Sequence, residues 1–261
     1  MSANRENAPE HPVLACRGRF RIRVADTPEA VAAAQRLRGR VFGAERGTSR
    51  GGAVPDEDVF DRQFRHLVVE DAGTGETVGT YRFQTGLEAA AGRGFYAETE
   101  YRIDGLPAIR DRLCEVGRAC VAEAYRSGAV IALLWAGIAE LRRRLGFRYM
   151  MGCVSLDERD PGTAWALYDA ARSRNELSPL VFGRARPAYS LPRARPLPSA
   201  AAGPVAPLFK GYLRLGAKIA GEPAWDREFH SVDLLFLLDF ARLNGKYARH
   251  FEVDRPSGEA D

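Results

Sequence analysis

Glu115-Val116-Gly117-Arg118-Ala119-Cys120-Val121, followed by Tyr125-Arg126-Ser127-Gly128-Ala129 and a long apolar run, is the stretch whose reading decides the fold. It reads as a buried strand carrying one acid and one base, then a tight turn, then a helix start. Side chains alternate along a strand, so Glu115 and Arg118, three apart, should point to opposite faces. A β-bulge between them would bring both into one cleft. Such a unit can hold a thioester beside an acceptor amine. It equally suits a plain α/β core with its two charges at opposite rims.

Working outward, Phe20-Arg-Ile-Arg-Val24 alternates and predicts a strand. Asp26-Thr27-Pro28-Glu29 supplies a cap, a proline at the first helical position and an acid on the positive dipole end. The helix it starts runs to about Phe42, with Val31, Ala34, Leu37, Arg38 and Val41 at helical spacing. A Gly-rich loop follows to Asp58. His66–Glu70 and Thr77–Phe83 predict a hairpin around the turn residues of Asp71–Glu76. Ala129–Leu145 is an amphipathic helix, with Arg142, Arg143 and Arg144 in its last turn and Gly146 as its stop. Tyr149–Val154 predicts a strand, Thr163–Arg174 a helix, residues 179–207 a Pro-rich basic stretch, and Val232–Leu238 the last strand. The order predicts one mixed α/β domain over residues 19–253. Residues 1–18 are expected to be a disordered tail and 254–261 a second tail.

Hydrophobic residues make up 46% and charged residues 28% of the 261, the balance of an ordinary globular domain. No apolar run reaches the length of a membrane span; the longest, Val232–Phe240, is interrupted by Asp233 and Asp239. The first eleven residues are polar and lack a signal h-region, which predicts a cytoplasmic protein. Cys16, Cys114, Cys120 and Cys153 show no CxxC or CxxH spacing, so they are expected to be reduced and structural, with no metal site. The net charge of +4 is unevenly spread. Arg184, Arg186, Arg193, Arg195, Lys210, Arg214 and Lys218 fall in a segment without a single Asp or Glu. Its partner should be anionic, a phosphate, an acidic protein or a lipid surface; the plain alternative is a solvated basic loop. No recognition-helix or zinc-finger pattern accompanies it, so nucleic acid is not expected.

There is no P-loop, no GxGxxG after a strand, no HExxH and no GxSxG. The clusters left for chemistry are Arg38 with Phe42, Asp58 with Asp61, Arg82 inside an apolar run, and Glu115 with Arg118. Arg38 and Phe42 share one helix face, where an Arg is ordinarily solvated. Asp58 and Asp61 could attract a cationic amine or simply solubilise a loop. Arg82 should snorkel or pair with Asp58, Asp61 or Glu115. Amide formation needs a deprotonated amine, and Glu115 is the best base available. The Arg126–Ala129 turn opens a helix, whose N-terminus suits a phosphate.

Arg38-x-x-x-Phe42, Asp58-x-x-Asp61, Gly79-x-x-Arg82 and Glu115-x-x-Arg118 occur in the order and spacing of acyl-homoserine-lactone synthases. The fuller pattern resembles a sister family, the ornithine-lipid N-acyltransferases. It includes Leu37–Phe42, His66–Val69, Val78–Arg82, Phe95-Tyr96, Glu115–Val121, Tyr125–Ala129, Gly152–Ser155, Lys210–Ala217, Gly221–Ala224 and Asp233, and covers about residues 20 to 252. The resemblance implies a GNAT-like fold, a central mixed but mostly antiparallel sheet flanked by helices. It implies transfer of a 3-hydroxyacyl chain from acyl carrier protein to the α-amine of L-ornithine, giving lyso-ornithine lipid. No cofactor is expected beyond the donor's phosphopantetheine. Glu115 and Arg118 would then be catalytic, and Arg38, Phe42, Asp58, Asp61, Arg82 and Ser155 would bind substrate. A carboxylate of Asp58 or Asp61 would read the ornithine side-chain ammonium, directly or by anchoring Arg82, with Arg38 or Arg118 meeting the acceptor carboxylate. Arg126, Ser127, Gly128 and Ala129 would hold the phosphopantetheine. Arg142, Arg143, Arg144, Arg193, Arg195, Lys210 and Arg214 would dock the carrier protein or touch an anionic membrane peripherally. The chain departs from the family at Gly39, Gly43 and Ala44, where bulkier residues are expected, and at Ala122-Glu123-Ala124. The alternatives are another acceptor amino acid, an acyl-homoserine-lactone-like synthase, or, from a different class, a non-catalytic carrier-protein or membrane-binding module.

Overall fold

The computed structural model describes residues 12–45, 54–126, 128–157, 161–193 and 207–243. Strands β1 (Ala15–Arg17), β2 (Phe20–Ala25), β3 (Arg65–Asp71), β4 (Glu76–Thr85), β6 (Leu113–Val121), β7 (Tyr149–Asp157), β11 (Ser231–Asp239) and β10 (Ala224–Asp226) lie side by side in that order in one sheet. β9 (Lys218–Ile219) pairs with β11 off this path. Two further strands, β5 (Tyr101–Asp104) and β8 (Phe182–Ala185), form a small antiparallel sheet of their own. Every neighbouring pair in the large sheet is antiparallel except β6 with β7. The expected mixed, mostly antiparallel sheet is therefore present.

Side-chain alternation divides the large sheet into two unlike faces. One face carries Leu67, Val69, Tyr81, Phe83, Cys114, Val116, Val154, Leu234 and Phe236, and packs with the buried stripe of α4 (Ala129–Leu145) and with α5 (Pro161–Ser173) in the main core. α6 (Pro207–Leu215) joins the same core through Tyr212, whose ring stacks on Phe236 at 4.2 Å. The α4 stop is as expected: Gly146 adopts φ 72° and donates its N–H to the Arg142 carbonyl, a conformation that only glycine takes without cost.

The other face is covered by α1 (Pro28–Glu45) and by the segment between β4 and β6, which holds α2 (Gly86–Ala91), α3 (Ala97–Glu100) and β5. Ala34 of α1 packs on Val68, while Leu37 and Val41 meet Cys120. Thr85 and Glu88 close a capping box on α2. Beside it, Phe95, Tyr101 and Leu106 form a second apolar cluster with Met151, Leu235 and Leu237. Pattern reading missed this whole segment, because its elements are only four to six residues long and show no clear period.

Two expectations are corrected. The N-terminal tail was expected to reach residue 18, yet Ala15–Arg17 pairs with Phe20–Ile22, and Leu14 and Ala15 are buried in the main core. The basic stretch is not a single loop: it contributes β8, α6 and β9. Residues 1–11 and 244–261, with the proposed C-terminal tail, lie outside the described residues.

Candidate active site

The cleft follows from one register defect and one splay. Along β4 and β6, Thr80 faces Cys120 and Arg82 faces Gly117, so Arg118 and Ala119 together oppose Tyr81. That is a β-bulge, and Arg118 sits in it with φ 54°. The extra residue shifts the alternation: Glu115, Arg118 and Cys120 all reach the face covered by α1 and α3. On its other side β6 pairs with β7 only from Leu113–Tyr149 to Glu115–Met151. Beyond that point the two strands part. The wedge between them opens into a cleft of about 1050 Å³, lined by Gly117–Val121 of β6 and Cys153–Leu156 of β7.

Glu115 lies at the apex of the wedge and is buried. Its Oε2 accepts from Gln84 Nε2 at 2.7 Å and from the Tyr96 N–H at 2.8 Å, and its Oε1 accepts from the Ala97 N–H at 2.7 Å. Burial pushes its pKa up and these donors pull it down; the result is about 7. A carboxylate so poised is suited to take a proton from an ammonium near neutral pH.

A ladder of three arginines and three acids closes one wall. Arg38, only 1% exposed, donates to Asp61 Oδ2 at 2.5 Å, to the Asp56 carbonyl, and lies 3.0 Å from Asp56 Oδ2. Arg82 Nη1 meets both Asp58 oxygens at 2.8 Å and Asp61 Oδ1 at 3.0 Å. Arg118 reaches Asp58 Oδ2 at 3.0 Å and Asp56 Oδ1 at 3.3 Å, with its guanidinium 3.8 Å from the centre of the Phe229 ring. Burial would raise the Asp61 carboxyl, but Arg38 and Arg82 outweigh it and hold it at about 2. Burial and the Arg38 charge hold His66 neutral, at about 4.

Arg82 thus pairs with Asp58 and Asp61, the anchoring expected of it. Both acids are engaged by arginine in the structure. The expectation for Arg38 is corrected. It is not a solvated helix Arg, and it is absent from the cleft lining, so it is not free to meet an acceptor carboxylate. Phe42, Arg82, Arg118 and Ser155 do line the cleft.

At the donor end Arg126 and Gly128 line the cleft beside the first turn of α4, which Ala129 begins; Ser127 lies outside the described residues. Arg142, Arg143 and Arg144 sit at the opposite end of α4, about 20 Å away at 1.5 Å per residue, where Arg143 and Arg144 pair with Glu140. The structure does not bring them to the cleft mouth. Within the basic segment Arg184 pairs with Asp104, Arg186 donates to the Glu98 carbonyl, and Arg193 pairs with Asp169 at 2.5 Å. Lys210 and Arg214 are exposed on α6, whose Tyr212 lines the cleft. Arg195 lies outside the described residues.

Sequence reasoning missed the donors that hold Glu115, the acid Asp56, and a second acidic group formed by Glu100, Asp226 and Asp233. Asp226 and Asp233 line the cleft and both are buried. A legible signal existed for one: Asp233 interrupts an otherwise apolar strand.

A family model described as an acetyltransferase (GNAT) domain matches residues 37–136, from the arginine wall into α4. The L-ornithine N(alpha)-acyltransferase of Brucella abortus is 32% identical over 254 residues, 91% of this chain and 90% of that protein. The L-ornithine N(alpha)-acyltransferase of Rhodobacter capsulatus is 32% identical over 265 residues, 92% of this chain and 96% of its own. Among solved structures, a CoA-dependent acyl-homoserine lactone synthase, MesI, aligns at 14% identity and a TM-score of 0.48, over 88% of this chain and 93% of that one. By its identity to these relatives over nine-tenths of each, the chain is an acyltransferase with a GNAT domain and belongs to the L-ornithine N(alpha)-acyltransferase family.

Proposed function

We propose that the chain moves a 3-hydroxyacyl group from the phosphopantetheine thiol of acyl carrier protein to the α-amine of L-ornithine, giving lyso-ornithine lipid. The observation that carries this reading is Glu115, buried at the apex of a wedge that opens into a cleft of about 1050 Å³. The acceptor enters as an ammonium. Glu115 removes one proton, and the amine attacks the thioester carbonyl. A C–N bond forms and the C–S bond breaks; the departing thiolate takes a proton, and the product is an amide.

Past Glu115, β6 has no strand partner on the β7 side among the described residues. Its outward N–H and C=O groups suit the amides of an extended phosphopantetheine arm and the oxyanion of the intermediate. The α4 N-terminus beside Arg126 suits the single phosphodiester of that arm. Arg118, steadied by Asp56, Asp58 and Phe229, keeps part of its guanidinium fork for the acceptor carboxylate. Lys210 and Arg214, exposed on α6 beside the cleft-lining Tyr212, suit an acidic carrier protein.

The test is transfer with purified protein, 3-hydroxyacyl carrier protein and L-ornithine, read by mass spectrometry. The expected product is N-acylornithine, with the acyl-CoA of the same chain a poorer donor. Best turnover with an uncharged amino acid would overturn the ornithine reading and leave the acyl transfer standing.

A further inference from the structure

The two acidic groups around the cleft are treated differently. Asp56, Asp58 and Asp61 are matched by three arginines. Glu100, Asp226 and Asp233 form no ion pair among the described residues, yet are 0%, 4% and 4% exposed. Asp226 accepts the Glu228 and Phe229 N–H groups at 2.9 and 3.0 Å, and Asp233 accepts the Ser231 hydroxyl at 2.9 Å. Those are neutral donors and cancel no charge.

Glu100 is the sharper observation. Both its carboxylate oxygens are sealed from solvent and neither closes a hydrogen bond of normal geometry, although the Cys153 thiol and Tyr96 stand beside it. The Glu100 carboxylate, the Cys153 sulfur and the Asp233 carboxylate lie within 4.8 Å of one another, so Glu100 is aimed into the group. An unpartnered buried carboxylate beside a second one is costly to keep unless a cation or a proton arrives. Burial and mutual repulsion accordingly raise Asp233 to about 6 and Glu100 well above its ordinary value.

The position fits the acceptor. Asp226, Asp233, Cys153 and Ser155 line the same cleft as Glu115, and the Cys153 thiol feels the charges of Glu100, Asp233 and Glu115 together. Four carbons separate the two nitrogens of ornithine, so a molecule with its α-amine at Glu115 sets its second ammonium against another part of the same cleft wall. Asp226 and Asp233 belong to the wall of the cleft that would admit the acceptor, so the cation that suits the group is the one the acceptor carries.

We propose that Asp233 and Asp226, with Glu100 behind them, form a cation subsite of the acyl-transfer cleft, which seats the side-chain ammonium of a diamino-acid acceptor. This rests on the ornithine reading above and assigns that reading's specificity to residues other than Asp58 and Asp61.

The test compares L-ornithine with L-norvaline, the same skeleton without the second ammonium, in wild type, Asp233→Asn and Glu100→Gln. In wild type kcat/KM should favour ornithine. Asp233→Asn should lower kcat/KM for ornithine about 30-fold or more and leave norvaline unchanged or improved. Glu100→Gln should weaken ornithine in the same selective way while raising Tm, since it removes an uncompensated buried carboxylate. Binding of ornithine to wild type, followed by calorimetry across pH, should release a proton from the subsite below about pH 6 and release fewer as pH rises through that value, and the variants should lose that dependence. Equal losses for both amino acids would overturn the subsite. So would loss of turnover with both acceptors on adding a chelator, which would mark the group as a metal centre. A wild type that does not prefer ornithine over norvaline overturns the ornithine reading itself, a result distinguishable from a preference that survives Asp233→Asn.

Discussion

Arg82 and Arg118 converge on one carboxylate, Asp58, at 2.8 and 3.0 Å. One of these arginines belongs to β4 and the other to the bulge of β6, and they meet only because the bulge turns Arg118 onto the Arg82 face. Asp56 and Asp61 extend the same ladder to Arg38 of α1. The ladder therefore ties α1, the 54–61 loop and the bulge into a single wall. Its acids are engaged by the arginines of the wall.

Asp61→Asn follows from that arrangement. It leaves Arg38 with Asp56 alone and Arg82 with Asp58 alone, so the loss should stay below the about 3–5 kcal/mol of a buried charge left with no partner. Denaturant unfolding should show this smaller loss. Because the wall is shared by all acceptors, kcat/KM should fall by the same factor for ornithine and for norvaline. A loss confined to ornithine would return the ammonium-reading role to Asp61.

Glu115 sets the pH dependence of turnover. Its carboxyl is held at about 7, and only the deprotonated form can accept the ammonium proton. The kcat/KM profile should therefore rise with pH through about 7. Glu115→Gln should lower kcat by about 10²–10⁴-fold and remove that ascending limb. Retention of near wild-type kcat in the variant would show that another group or water is the base.

His66 makes an opposite use of burial. It is neutral in the fold down to about pH 4 but takes a proton near its ordinary 6.5 when unfolded. Its folded pKa is the lower one, so between about 6.5 and 4 the unfolded chain binds the extra proton and acid weakens the fold. Asp61, held at about 2 against an ordinary 3.8, adds a further loss only below about pH 4. Glu115 and Asp233 have raised values and oppose this trend, so a difference measurement is needed. The stability of wild type minus that of His66→Asn should fall by about 3 kcal/mol between pH 6.5 and 4. A flat difference would show His66 to be accessible to protons in the fold.

Much of this was legible in the sequence, and the reasons for the rest are physical. The hairpin, α4 and the long strand β11 announce themselves by period and by their stops. The bulge was needed to bring Glu115 and Arg118 together, and two residues facing Tyr81 supply it. The donors to Glu115 were not legible, because the Tyr96 and Ala97 N–H groups belong to a four-residue helix and backbone groups leave no trace in composition. The burial of Arg38 was also hidden. Helical spacing places it on a face, but what covers that face is a loop whose acids arrive some twenty residues later. Glu100 ends a four-residue helix without a readable period, so its full burial left no trace in the sequence pattern.

Gly39 gives the last prediction, and it turns a departure from the family into a structural requirement. It lies mid-helix in α1, where alanine would ordinarily stabilise by about 1 kcal/mol. A Cβ there would come within 2.0 Å of the Val54 carbonyl oxygen and 3.2 Å of the Asp56 N–H nitrogen. Those are backbone atoms, and Asp56 is further held by its N–H bond to the Gln35 carbonyl at 3.0 Å. The 54–58 loop would have to lift from α1, which would draw Asp56 and Asp58 away from Arg38, Arg82 and Arg118. Gly39→Ala should therefore lower Tm and reduce kcat/KM for every acceptor alike. Gly211 of α6 is the matched control, since an added Cβ meets nothing within 4 Å there. Gly211→Ala should raise Tm by about 2–4 °C for each kcal/mol of helix propensity gained. A Gly39→Ala protein as stable and active as wild type would show that the loop does not need its close seat on α1, and that the arginine wall is held by its ion pairs alone.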